Sequence, residues 1–506
     1  MTTFEDLKTF ISSQKMRVII AADAETVVLE KKDGEVIQRL LSGGVSVVLD
    51  PLAKASSSIY IGRAKTEDEK KILGTKGETK VESERGAYIL KRVYLENGEF
   101  ENYYNGFSNQ TLWPLCHVAF ENPNFHRLWY EGFVSVNKKF AEAIKNEIKG
   151  NTFVWVNDYQ LCLVPKFLNK PKNTTIGFFW HIPWPTWEAF RILPQKKEIL
   201  ESLLMCDFIG FHRGYQVRNF IDTVRREFEV RIEEETNKIY YKGHVTTVKN
   251  LPLGIDTDIV SNIARKDKKE GTIDILIKKI LRTDDEGKDE SPYIEYFRKY
   301  KVMLGVDRLD YTKGLLLRLE AIDRFFENNK KYIGKAIYLG LMAPSRDTIP
   351  SYKELKEKVE VEAEVINRKY GKNGWKPINL IYKTFSRAEI IDFYLHASLC
   401  LVTPRDDGMN LVSKEFVMAA SFSKNPGMLV LSQFAGSATD LSQALIVNPY
   451  DKNEVVEAIR RGLEMKRDEK LRRTRSMAKV LEENNVYKWG IDFFQNTIES
   501  KQPTKE

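Results

Sequence analysis

The chain has 506 residues, 42% of them apolar and 11% aromatic, with 79 basic and 71 acidic side chains and a net charge of +8. That length makes two or three domains, and the composition is that of an ordinary globular protein. The charges are interspersed, not gathered in one basic tract, so anionic small molecules are expected as partners and nucleic acid is not.

Four cysteines (Cys116, Cys162, Cys206 and Cys400) match no zinc spacing, and three lie in or beside apolar runs. They read as reduced core residues of a cytoplasmic protein. The opening MTTFEDLKTF carries acids where a signal peptide needs cations, and no apolar run is long enough for a membrane span.

In chain order, residues 1–14 predict a short amphipathic helix with Phe4, Leu7 and Ile11 on one side, and Met16–Ala22 a buried strand. Two short strands around Glu25–Val36 predict a hairpin about Lys32-Asp33-Gly34. Ser42-Gly43-Gly44-Val45 reads as a loop that turns or brings backbone close to a ligand. Tyr60–Gly62 is a further strand, and the charged stretch Lys65–Ala87 is expected to be irregular. Asn102–His117 mixes rings with polar edges, as sugar sites do, although a helix start packed with aromatics fits most of the same residues. Phe125–Lys149 predicts a long helix.

Phe153–Val156 and Thr175–Phe179 predict strands whose carboxyl ends carry Asp158 and His181. Ligands of open α/β sheets bind at such ends. A lone Asp or His is usually a cap or a satisfied core residue, but two at neighbouring strand ends favour function. Asp207–Phe211 is another strand, a helix follows over Tyr215–Glu227, and residues 265–299 read as charged surface helices and a loop.

In the second half, Val302–Val306 predicts a strand, and Leu315, Leu319, Ile322 and Phe326 form a helical stripe. Between them Arg308 and Lys313 sit in a polar turn before a helix start, which suits an anion. Solvated charges on a plain βα turn fit that local pattern as well. Strands are also predicted over Lys335–Leu341, Ile378–Tyr382, Leu399–Thr403, Met428–Ser432 and Leu445–Val447, with a helix over 350–370. The alternation implies parallel sheets covered on both faces, in two doubly wound domains facing across a cleft. No Gly-x-Gly-x-x-Gly fingerprint and no Walker A loop is present. Asp407-Gly408-Met409-Asn410 ends a strand and precedes Lys414-Glu415; it reads as a diphosphate and sugar site or as a helix cap.

The motifs GVDRLDYTKG (305–314), DDGMNLVSKEFV (406–417), LSQFAGSA (431–438), NPYD (448–451), IGFFWHIPWP (176–185), WVNDYQL (155–161) and YYNGFSNQTLWPLCH (103–117) resemble those of the trehalose-6-phosphate synthases. These are retaining, nucleotide-sugar-dependent glycosyltransferases with two Rossmann-like domains, the GT-B architecture. The resemblance implies an N-terminal acceptor-binding domain over 1–252, a nucleotide-sugar-binding domain over 253–484, and a helix in 485–506 crossing back to the first. It implies that Arg308 and Lys313 neutralise the donor diphosphate as it leaves. Asp407 and the backbone of Gly408, Met409, Asn410, Leu411 and Val412 would hold the glucose and phosphates, and Glu415 the ribose. His181 would meet the glucose, and Gly43 and Gly44 resemble a glycine pair that contacts the donor. Tyr104, Trp113, Asp158 and Arg346 would line the acceptor site. Transfer would proceed by same-face attack assisted by the leaving phosphate. No metal, no protein nucleophile and no cofactor beyond a nucleoside diphosphate glucose co-substrate is expected.

The chain departs from that pattern at the first strand. The family's Ser-Asn-Arg is Ala21-Ala22-Asp23-Ala24 here, without the arginine that binds the acceptor phosphate. Alone, Asp23 would repel a phosphate, and Arg63 is a cation that could stand in. The implied reaction is glucosyl transfer to a sugar phosphate, giving trehalose 6-phosphate. The other readings are a glucosylglycerol-phosphate synthase-like enzyme or pseudo-glycosyltransferase with a different phosphorylated acceptor, and a non-catalytic sugar-phosphate-binding regulator. A homo-oligomer is compatible with all of them.

Overall fold

The structure, a computed structural model, describes residues 1–24, 26–32, 35–40, 44–96, 98–118, 121–265, 297 and 299–501. The turn at Asp33-Gly34, the candidate donor residue Gly43 and nearly all of the charged 265–299 stretch lie outside the described residues. The chain divides into two compact units, Met1–Gly254 with Asn484–Glu506, and Ile255–Glu483.

In the first unit, β1 (Arg17–Ala22) is followed by β2 (Val27–Lys32) and β3 (Glu35–Leu40), which pair as an antiparallel hairpin. Next come β4 (Ile59–Arg63), β5 (Glu78–Ser83), β6 (Gly86–Val93), β7 (Thr152–Asn157), β8 (Thr174–Phe179) and β9 (Phe208–Phe211). The last three strands of the unit are β10 (Arg231–Glu233), β11 (Lys238–Tyr241) and β12 (His244–Asn250). Apart from the hairpin they form one sheet in the order β10-β11-β12-β9-β8-β7-β1-β4-β6-β5. From β12 to β6 the pairing is parallel. The edges are antiparallel, β5 against β6 and β10-β11-β12 in a meander, a departure from the all-parallel expectation. β7, β8 and β9 are buried along their whole length, as near-continuous apolar runs under helices on both faces must be.

The final helix, Val486–Lys501, belongs to this unit. It lays Trp489, Phe493 and Phe494 onto the sheet. Phe494 stacks on Phe153 at 3.9 Å between ring centroids and Phe493 on Trp155 at 4.2 Å.

One reading of the first unit is corrected. Lys65–Ala87 is regular: a helix spans Glu67–Leu73, and β5 and the start of β6 follow. Thr66 caps the helix, and Glu69 turns inward to a fully buried pair with Arg92 at 2.6 Å, so one charge of this stretch is a core residue. The polar-aromatic stretch follows its helical alternative. Residues Glu101–Leu112 form a wide helix with i→i+5 hydrogen bonds that runs into a short helix, Trp113–His117.

The second unit contains β13 (Lys301–Arg308), β14 (Ala336–Ala343), β15 (Ile378–Tyr382), β16 (Leu399–Val402), β17 (Met428–Ser432) and β18 (Leu445–Val447). All six are parallel, in the order β15-β14-β13-β16-β17-β18. Counting within the unit, this is 3-2-1-4-5-6, which reverses between β13 and β16; ligands bind at the carboxyl side of such a reversal. The first unit reverses in the same way between β1 and β7. Among the described residues no helix is long and apolar enough to cross a membrane. All four cysteines are buried, reduced thiols.

Candidate active site

Each candidate cluster sits at a reversal point. In the second unit the strand β13 runs to Arg308, so this arginine ends the strand and is not in the turn. Tyr311–Lys313 then makes one tight turn, in which Asp310 accepts hydrogen bonds from the N–H and hydroxyl of Thr312, both at 3.0 Å. Gly314, at φ +66°, turns the chain into the helix Leu315–Asn328. A Cβ there would lie 2.3 Å from the carbonyl of Thr403 at the end of β16, so the two loops are in close contact.

That contact brings Lys313 to Asp407. Lys313 Nζ donates to Asp407 Oδ2 at 2.6 Å, and Asn410 Nδ2 donates to the same oxygen at 3.0 Å. The 407–409 segment is held from behind by the loop after β17: Gly436 N donates to the Asp407 carbonyl at 2.9 Å and Ser437 N to that of Met409 at 2.6 Å. Asn410, at φ +77°, caps the helix Leu411–Ala420 through its side chain, which accepts from Ser413 N at 3.0 Å. Leu411 and Val412 form the first turn of that helix, whose backbone N–H groups are of the kind that suits an anion. Glu415, on its second turn, pairs with Arg387 at 2.9 Å.

The three arginines of this cluster differ in exposure. The Arg308 side chain is 42% exposed and 3.6 Å from Asp310, whereas Arg346 is 3% exposed and 3.3 Å from the same carboxylate. Burial acts to raise the Asp310 pKa, but Arg346, Arg308 and Lys313 outweigh it and hold the carboxyl below its ordinary value. Arg346, expected to meet an acceptor, is thus directed inward, to Asp310 and to the hydroxyl of Tyr352. Arg318 was not foreseen. It pairs with Asp307 at 2.5 Å, and it donates to Thr403 Oγ1 at 2.9 Å, to Tyr338 at 3.1 Å and to the Lys313 carbonyl at 3.3 Å. It ties the Lys313 turn to three strands, and its one sequence signal is an arginine next to Leu319 on an apolar helix stripe.

In the first unit Asp158 follows β7 at φ +73°. Its Oδ1 accepts from the backbone N–H of Tyr159 at 2.9 Å and of His181 at 3.2 Å, so the two expected residues are joined directly. His181 Nε2 faces Asn157 Oδ1 at 3.1 Å, and burial pulls the imidazole from its ordinary 6.5 down to about 3, which keeps it neutral. Trp113 packs against Tyr159 at 5.9 Å and is almost wholly inside. Tyr104 stacks on Phe100 at 5.2 Å. Asp23 does not stand alone: Arg63 Nε donates to its Oδ1 at 3.0 Å and Nη2 to Oδ2 at 3.4 Å. Gly44 precedes the helix Val45–Ser56 at φ +65°. Among the described residues no group of three or more His, Cys, Asp or Glu side chains is placed to hold a metal ion.

Two doubly wound α/β units with a polar cluster at each reversal define a glycosyltransferase of the GT-B architecture. The chain belongs to glycosyltransferase family 20, whose model matches residues 14–499. It is 33% identical over 484 residues to the UDP-forming α,α-trehalose-phosphate synthase of Candida albicans, covering 94% of this chain and 96% of that one. A solved structure described as trehalose-6-phosphate from E. coli bound with UDP-2-fluoro glucose superposes with a TM-score of 0.81 at 28% identity, covering 96% of this chain and 99% of that chain. The α,α-trehalose-phosphate synthase (UDP-forming) of Burkholderia xenovorans in complex with glucose-6-phosphate gives 0.81 at 29% identity, covering 95% and 100%.

Proposed function

We propose that this protein transfers glucose, with retention, from a nucleoside diphosphate glucose to a sugar phosphate, and that the acceptor is glucose 6-phosphate, giving trehalose 6-phosphate. The observation that carries the reading is the cluster at the β13/β16 reversal, where Lys313 and Asn410, the cap of the helix Leu411–Ala420, meet at Asp407 and Arg308 ends β13.

Loss of a nucleoside diphosphate builds negative charge on its terminal phosphate. Arg308 and Lys313 are the cations assigned to that position, and cations placed where charge develops stabilise it most effectively. Lys313 is held by Asp407 before any ligand arrives. The Asp407 carboxylate then serves twice, as the orienter of Lys313 and as an acceptor for glucose hydroxyls. Glu415, steadied by Arg387, is assigned to the ribose, and the backbone of residues 408–412 to the phosphates. The first unit supplies Asp158, neutral His181 and the Tyr104 and Trp113 rings for the two sugars. With its one N–H given by Nε2 to Asn157 Oδ1, the neutral imidazole keeps Nδ1 to accept from a hydroxyl, and it adds no charge of its own. The same-face route expected from the family takes the acceptor proton onto the leaving phosphate, so no side-chain nucleophile enters. The nucleotide is proposed to be uridine, in keeping with the UDP-forming relatives.

The test is nucleotide release from UDP-, GDP- and ADP-glucose, each with glucose 6-phosphate, glycerol 3-phosphate and glucose as acceptors. UDP release with glucose 6-phosphate is expected. Release with glycerol 3-phosphate alone would move the assignment to the polyol phosphate, and no release from any pair would overturn transfer itself.

A further inference from the structure

The parallel strands of the first unit bring four polar ends to one edge. Ala22 of β1 lies in register with Gly62 of β4 on one side and Asn157 of β7 on the other. Asn157 in turn lies beside Phe179 of β8. The residues at those ends therefore stand in the order Arg63, Asp23, Asp158, His181 along the carboxyl edge, with the reversal between the second and third. A ligand at this crevice meets them together.

Arg63 is preorganised there. Its Nε and Nη2 are committed to Asp23, and the two side chains are 10% and 4% exposed. Its guanidinium lies 4.8 Å from the centroid of the Phe100 ring and 5.2 Å from that of Tyr104. A guanidinium carries five N–H donors in one plane, so a carboxylate along one edge fixes the plane without using every donor. Aromatic faces fix it further. A buried ion pair of this kind contributes little to stability as a rule, which leaves orientation as its physical return.

We propose that Arg63 reads the anionic group of the sugar-phosphate acceptor, with Asp23 as the positioning residue that aims its guanidinium. The proposal rests on the transfer reading above and assigns the cation of the acceptor subsite. Asp23, which alone would repel a phosphate, becomes the counter-ion that holds the phosphate-binding group in place. It also predicts a preference for phosphorylated over plain glucose that depends on one strand end.

Removing either partner alone leaves the other charge buried and confuses affinity with stability. The decisive variant is therefore the double substitution Asp23→Asn with Arg63→Gln, which keeps hydrogen-bonding groups of similar size and removes both charges. In the full chain, calorimetry with glucose 6-phosphate should show binding weakened by a factor of about 30 or more, the scale of charge-assisted hydrogen bonds to a phosphate. In turnover assays the KM for glucose 6-phosphate should rise in parallel while that for UDP-glucose changes by less than about threefold. Wild-type affinity in a double variant that melts like the wild type would overturn the proposal. Should the double variant melt early, Arg63→Lys keeps the charge but loses the planar fork. It should weaken binding by roughly fivefold or more, and unchanged affinity would be equally fatal. Because binding is read without turnover, a wild type that binds the sugar phosphate but releases no UDP would overturn the transfer reading and leave this assignment standing.

Discussion

Lys313 and Asp407 come from loops after different strands, and their contact is the smallest unit of the proposed chemistry. Arg308 beside them is the more exposed cation and is 3.6 Å from its carboxylate neighbour, so it can turn to a diphosphate at little cost. Arg308→Ala should lower kcat by about a hundredfold or more, the usual result of deleting one donor that meets developing charge, as measured by UDP release. An unchanged rate would mean that the diphosphate binds elsewhere. Asp406 adds a pH dependence. Burial first, then the charge of Asp407 beside it, push its carboxyl from 3.8 up to about 8. The group is thus neutral at pH 7 and becomes anionic as pH rises through about 8, next to the proposed phosphate site. The KM for UDP-glucose should accordingly climb above pH 8 in the wild type. Asp406→Asn should keep the low-pH value throughout, and a variant with the same climb would assign the titration to another group.

At the scale of elements, the β13–turn–helix segment and the β16–loop–helix segment are interlocked by a backbone approach at Gly314. Any side chain there meets the Thr403 carbonyl and also requires a left-handed backbone. Gly314→Ala should destabilise the second unit by ~2 kcal/mol or more, lowering its thermal transition by roughly 4–8 °C, with donor affinity lost in step. A variant with the wild-type melt would show that the loop relaxes freely. These two segments were legible in the sequence because apolar runs and a helical stripe bracket them, and the paired cations fall between. The first unit was less so. Glu69, in the charged stretch expected to be irregular, is satisfied by Arg92 beyond it, and the polar-aromatic run forms a helix of unusual width. The Asp23–Arg63 pair joins residues 40 positions apart, through neighbouring strands, so the sequence displayed a lone acid where the fold supplies an ion pair. Arg318 was missed for a related reason: a buried arginine is intelligible only once Asp307, Tyr338 and Thr403 are seen around it.

At the scale of the whole molecule, the two units differ in how the chain builds them. The second is continuous, while the first is made of two stretches separated by the whole of the second. What joins those stretches is aromatic packing, with Phe493 and Phe494 stacked on Trp155 and Phe153 of the central strand β7. Phe493→Ala should cost about 3–5 kcal/mol and lower the melt of the first unit by roughly 10 °C, while the transition of the second stays in place. A single shifted transition for both would mean that the units unfold together. The same feature orders events on the ribosome. Residues 255–483 emerge as one run carrying all six strands of their sheet, and they can close a core as they are made. The stretch made first should keep the faces of Phe153, Trp155 and Phe179 that this helix covers open until residues 486–501 leave the exit tunnel. A nascent chain stalled before residue 486 should be cut by protease in the first stretch and spared in the second. The helix Val486–Lys501 thus closes a half begun before the whole of the second unit, because only a chain read past residue 486 can finish it.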